Sequence, residues 1–352
     1  MTEQTETIRE KTMLKKLISF ALVCVIAVSC SITCFATTTE LVKTDLPAPQ
    51  KIVFLGDSIA AGYGLEGYSD NGGSPKDCYA SILGERYKKE IGNKCEAIMI
   101  NAAVSGDTSA QLLEKLETGS LDNYIFGSNA VVISIGGNDI MGPALEFLSE
   151  DLGLKSEEDI KNFNTLTLAK PSVLAKINEK LNKISSNLET FKSNLDRIIT
   201  NIRSKTQAVI VFQTVYDPLE EKKSIKAVAD MMGGKIKELN SIITQGAKGS
   251  DGSDRYLVCD VYEGFKGKSL EYTNIEKFDI HPSAEGHKQI AELVDKQIKT
   301  QKYSFEELVE KEDAPKAKKM SSTRIYVTIG LFFGGFIVLF MFVWIKFRRD
   351  TR

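Results

Sequence analysis

Short apolar runs alternate with longer amphipathic stretches along this chain, and that alternation restricts it to a parallel α/β architecture. Residues 51–55 (KIVFL), 96–100, 130–135, 207–214 and 256–261 read as strands, whereas 79–90, 108–117, 222–247 and 284–298 read as helices. A strand, a helix and another strand in succession form a crossover. Crossovers make neighbouring strands parallel and leave helices on both faces of the sheet. Open sheets of this kind take ligands beyond the carboxyl ends of their strands, so the residues just after each apolar run are where chemistry is to be sought.

Four such places carry distinctive residues. Gly56-Asp57-Ser58 ends the first run, Asn101 to Thr108 (NAAVSGDT) follows the second, Gly136-Gly137-Asn138-Asp139 follows the third, and Asp279-Ile280-His281-Pro282 closes the region before the last helix. A glycine, an acid and a serine after a strand are, alone, ordinary turn chemistry. Four motifs in this order are far more specific. Together they resemble the GDSL lipase and esterase family, also called SGNH hydrolases, whose namesake residues match Ser58, Gly106, Asn138 and His281 over residues 51–298. The resemblance implies a three-layer flavodoxin-like fold with a five-stranded parallel sheet. It also implies Ser58 as nucleophile, His281 as base, and Gly106 and Asn138 as donors to the oxyanion. One departure concerns the acid. Family members often place it three residues before the histidine, where Phe278 stands here, and Asp279 lies two before His281.

Elementary chemistry leads to a similar site. A serine hydroxyl needs a neighbouring base to take its proton, and imidazole is the usual one. The chain has 2 histidines. His281 sits on a loop ahead of Ser283, a cap for the helix that follows, whereas His287 falls inside that helix and reads as structural. Asp279 is placed to orient the imidazole, or else to make an Asx turn before Pro282. The N–H groups of Ser58 and Gly106 and the amide of Asn138 form an oxyanion site if their strands end on one edge. Asp57, Asp107 and Asp139 read as loop and cap residues. The expected activity is ester hydrolysis through an acyl-enzyme, with a lipid or an acylated glycan as substrate. Acyl transfer to a glycan alcohol is a related alternative. A surface binding module without turnover is a third, against which the presence of all four motif residues argues.

A formal charge of −2 over 352 residues, without any basic block, gives no reason to expect nucleic acid as a partner. No metal or organic cofactor is suggested. Cys78, Cys95 and Cys259 lack metal-ligand spacing, and the helix between the first two separates them by about 18 Å, so free thiols are expected. The hydrophobic ends set the expected domain plan: a leader over 1–36, a linker over 37–50, the catalytic domain over 51–300 and a polar stalk over 301–324. Residues 325–345 lack charge and would span about 30 Å as a helix, enough to cross a bilayer. The basic tail 346–352 then implies a single-pass protein with a cytoplasmic C-terminus and an extracellular catalytic domain. The leader is read either as cut after Ala36 or as kept as an anchor.

Between the third and fourth strands, Ile177, Leu181, Ile184, Leu188, Phe191, Leu195, Ile198 and Ile202 recur in steps of four and three, the mark of one long helix. That helix either packs on the sheet or, with residues 142–170, forms a lid or partner surface beside Asn138. Residues 63–76, rich in Gly, Asn and Ser, read as a rim near Ser58.

Overall fold

The computed structural model of the protein describes residues 39–70, 73–310 and 341. The strands are β1 (Thr39–Leu46), β2 (Lys51–Gly56), β3 (Ile98–Asn101), β4 (Ala130–Ser134), β5 (Val209–Gln213), β6 (Leu257–Cys259) and β7 (Tyr303–Glu310). Five of them form an all-parallel sheet in the order β3-β2-β4-β5-β6, the flavodoxin-like order. The chain runs one way from β2 to β3 and the other way from β4 onward. A crevice therefore opens between the carboxyl ends of β2 and β4, where Gly56 pairs with Ser134.

Period-two alternation assigns the strand residues to two apolar layers. Val53, Leu55, Val131, Ile133, Ile210 and Phe212 face one layer. Covering them are α3 (Ser109–Glu117), α4 (Gly137–Glu146), α5 (Pro171–Lys205) and α6 (Lys226–Gly246). Ile52, Phe54, Val132 and Val211 face the other layer, under α2 (Tyr79–Ile91) and α7 (Ala284–Ile298). Burial on both faces explains why the strands read as continuous apolar runs and not as alternating ones.

Most expected elements lie within two or three residues of their observed bounds, and the differences have local causes. The strand expected over 256–261 stops at Cys259 because the carboxylate of Asp260 accepts the N–H of Glu263 and starts a helical turn, Val261–Phe265. The long helix begins at Pro171, earlier than its apolar seam. Proline suits a first helical position, and Lys170 before it is extended. The segment before it is a series of short turns: α4, a π-helical turn Phe147–Asp151, Glu157–Lys161 and a 3-10 turn Thr165–Ala169.

Part of the expected linker and part of the expected stalk are strands. Residues 39–46 and 303–310 pair as a separate two-stranded sheet, so the described start of the supposed stalk is a strand. Among the described residues no helix is long and apolar enough to cross a membrane. The leader and, apart from Met341, the span expected over 325–345 lie outside the described residues.

Candidate active site

Gly56 ends β2 where the neighbouring strand comes closest: a Cβ there would lie 1.8 Å from the carbonyl oxygen of Ser134, at a φ of 132°. Only glycine fits. Asp57 then caps a one-turn helix, α1 (Ser58–Ala61), by accepting the N–H of Ile59 at 3.1 Å. Ser58 is the first residue of that turn, so its own N–H has no partner within the helix. The turn is held from β3 by Asn101, whose side-chain amide donates to the carbonyl of Ala60 at 2.7 Å.

The nucleophile candidate meets its base across the sheet edge. His281 Nε2 lies 2.9 Å from Ser58 Oγ, and Nδ1 lies 2.5 Å from Asp279 Oδ1. With the Nδ1 proton given to the carboxylate, Nε2 is left as an acceptor for the serine proton. Asp279 Oδ1 also accepts the backbone N–H of His281 at 3.1 Å. Burial pushes the Asp279 carboxyl upward, but the hydrogen bonds and charge of His281 outweigh it and hold the group below its ordinary value.

Phe278 explains how an acid two residues away reaches the ring. It follows the 3-10 turn Ile275–Lys277 in the left-handed region, φ 61°, as the lone non-glycine residue of positive φ among those described. A bulky residue there costs about 1–3 kcal/mol, and the reversal it makes turns Asp279 toward His281. The loop is fixed further by Asn274, whose N–H donates to the His281 carbonyl at 2.9 Å, and by Tyr216, whose hydroxyl donates to the Ile280 carbonyl at 2.8 Å. Ser283 then caps α7 through the N–H of Gly286, a contact worth about 1 kcal/mol. His287, inside α7, is fully buried and accepts the N–H of Tyr79. Burial, with a smaller contribution from His281, pulls its pKa down to about 3, so it is neutral structural material.

Asn138 lies in the first turn of α4 and donates one amide hydrogen to the carbonyl of Asp107 at 2.9 Å. Its second amide hydrogen remains to be used. That bond joins the loop carrying Gly106 to the first turn of α4. Among the described residues, its two chain neighbours apart, no atom lies within 4 Å of where a Gly106 Cβ would be, so its surroundings are open. The three neighbouring acids have structural partners. Asp107 pairs with Lys115 at 2.5 Å, and Asp139 accepts both the N–H and the hydroxyl of Ser109. Asp57 is pushed up to about 7 by burial, against the Ile59 hydrogen bond and with help from the charges of Asp139 and Asp107.

A model of the GDSL-like Lipase/Acylhydrolase family matches residues 54–289, the span that holds every one of these groups. The chain belongs to that family. It is an ester-hydrolysing serine hydrolase. A solved extracellular lipase from Streptomyces rimosus shares 18% identity with a TM-score of 0.50 over 70% of this chain and 99% of its own, a likeness of fold. A lipase from a goat rumen metagenome (18% identity, TM-score 0.48, 70% and 96% covered) is also similar. So is a catalytic mutant of an acetylxylan esterase from Geobacillus stearothermophilus (16% identity, TM-score 0.45, 72% and 95% covered). No curated protein sequence matches the chain.

In this GDSL-like hydrolase the relay opens into a cavity of about 480 Å³ lined by Ser58, Asn138, Asp279 and His281. The rest of its wall is largely apolar, with Ile59, Met141, Leu145, Val215, Pro218, Phe278 and Ile280. Gly106 is not part of that wall. Tyr63, from the expected rim, brings its ring to 4.5 Å from that of His281. Of the residues 142–170, Leu145 reaches the cavity; α5 buries Ile184 to Ile202 in the core, and its contacts also include the turns 147–151 and 165–169. Sequence reasoning passed over Tyr216, Ser109, Asn187 and Asn194, which brace the segments that carry His281 and Asn138.

Proposed function

We propose that this hydrolase cleaves carboxylic esters with aliphatic acyl groups through an acyl-enzyme on Ser58. The observation that carries the reading is the line Asp279, His281, Ser58 opening into a cavity whose wall is formed in part by apolar side chains. Ser58 Oγ attacks the ester carbonyl as His281 Nε2 takes its proton, and Asp279 stabilises the imidazolium that results. The carbonyl oxygen becomes negative and is held by the N–H groups of Ser58 and Gly106 and the free amide hydrogen of Asn138. His281 returns the proton to the departing alcohol. Water, activated by the same imidazole, then attacks the acyl-enzyme and frees the acid and Ser58.

Met141, Leu145, Val215 and Ile280 favour a hydrocarbon chain over a bare acetyl group, since burying each methylene is worth about 0.8 kcal/mol. Turnover of p-nitrophenyl esters by the purified protein should therefore rise from acetate to a maximum between butyrate and octanoate. A maximum at acetate would point to acetylated glycans instead.

The same proposal puts the enzyme at the cell surface, anchored by residues 325–345, because Lys346, Arg348, Arg349 and Arg352 favour a cytoplasmic C-terminus. Protease added to intact cells expressing the chain should remove peptides containing Ser58 and leave a small membrane-bound fragment. Full protection of those peptides would refute this orientation.

A further inference from the structure

Asn194 is a polar side chain in the middle of an apolar seam. It is buried on α5 beside Phe191, Leu195 and Ile198, where an unpaired amide would cost about 1–3 kcal/mol. Its partner is Ser109: Asn194 Nδ2 donates to Ser109 Oγ at 2.9 Å. Ser109 Oγ passes a hydrogen bond to Asp139 Oδ1 at 2.6 Å, and the Ser109 N–H donates to Asp139 Oδ2 at 2.9 Å. Two turns earlier, Asn187 donates its amide to the backbone carbonyl of Asp139 at 2.7 Å.

Residues 187, 191 and 194 share one face of α5, being four and three apart. The middle one closes the arrangement. Gly136 has a φ of 110°, and a Cβ on it would lie 2.7 Å from the ring of Phe191. One helical face thus touches Gly136 through its missing side chain and Asp139 through both its carbonyl and, by way of Ser109, its carboxylate. Asn138 lies between those two contacts. Its own amide is tied across to the Asp107 carbonyl, two residues before Ser109.

The geometry points to Asn187 and Asn194 as positioning residues that fix the amide of Asn138 toward the oxyanion, a role that rests on the reading of Asn138 as an oxyanion donor. Neither touches substrate. Each acts by removing play from Gly136–Asp139 and from the Asp107–Ser109 loop, so that the free amide hydrogen of Asn138 is aimed before the charge develops. Such pre-aiming governs the transition state more than the ground state, so it is read in kcat and not in KM.

The test is a set of kinetic cycles on the full-length enzyme with one p-nitrophenyl ester. Asn138→Ala should lower kcat by about 10² to 10³ fold. Asn194→Ala and Asn187→Ala should each lower kcat by about ten-fold with KM changed by less than about two-fold. Placed in the Asn138→Ala background, either substitution should cost almost nothing further, because its effect passes through the amide already removed. A merely structural role would lower the melting temperature and leave the losses multiplying. Multiplying losses, or single variants with unchanged kcat, would overturn the assignment while leaving the oxyanion reading of Asn138 standing. Full turnover by Asn138→Ala would instead overturn that reading, and this one with it. Should Asn194→Ala fail to fold, the half-buried Asn187 carries the same cycle alone.

Discussion

Ser58→Ala should lose essentially all ester hydrolysis, by about 10⁶ fold in kcat, while keeping the fold. The hydroxyl has a chemical partner in His281, 2.9 Å away, and the turn that carries it is built by other residues. Asp57 caps that turn, Asn101 holds its far end and the Asp57 N–H donates to the Ser134 carbonyl, none of which the substitution disturbs. The melting temperature should therefore stay within a few degrees of the parent, and labelling by a fluorophosphonate should vanish. Retention of more than about a tenth of the turnover in a folded variant would remove Ser58 from the nucleophile's place.

The sheet was legible because burial on both faces leaves no choice of pattern: Val53 and Leu55 serve one layer and Ile52 and Phe54 the other, so the whole run is apolar. Strand ends were less so. Asp260 ends β6 with a side-chain cap, a local competition that an apolar run cannot announce. Pairing of residues 39–46 with 303–310 was hidden for a different reason. Both segments are polar along much of their length, and the partners lie at opposite ends of the domain sequence, so nothing local in either specifies the other.

The site follows the same division. Ser58, Asn138 and His281 stand at strand ends or loops, where a polar residue without a packing role stands out. Asn187 and Asn194 do not stand out, because single asparagines beside an apolar seam do not interrupt its period, and only the tertiary contacts with Asp139, direct for Asn187 and through Ser109 for Asn194, turn the pair into a brace. Asp279 is intermediate. Its spacing from His281 looked unfavourable, and the compensation lies in the backbone of Phe278, a conformation that an aromatic residue's sequence does not suggest.

That compensation makes Asp279 the sharpest remaining test. Asp279→Asn is nearly isosteric and keeps an oxygen to accept the His281 backbone N–H, so the loop should fold as before. That same oxygen faces Nδ1, so in this orientation the variant keeps the tautomer but has no charge to offset the imidazolium, while a flipped amide would hold the wrong tautomer and give up the backbone bond; kcat should fall by up to about 10⁴ fold. The pH dependence distinguishes charge from shape. Asp279 is held below its ordinary value of 3.8, so its carboxylate is charged at every pH above that value, and its contribution fades only as pH falls through the lowered pKa. The deficit of Asp279→Asn should accordingly be constant across the neutral plateau and narrow only on the acid side, where the parent loses the same charge. The control is His281→Ala, which should be at least as damaging at every pH. A near-normal rate and profile for Asp279→Asn beside an inactive His281→Ala would reduce the machinery to a Ser58 and His281 dyad, and would leave the left-handed turn at Phe278 without a catalytic reason.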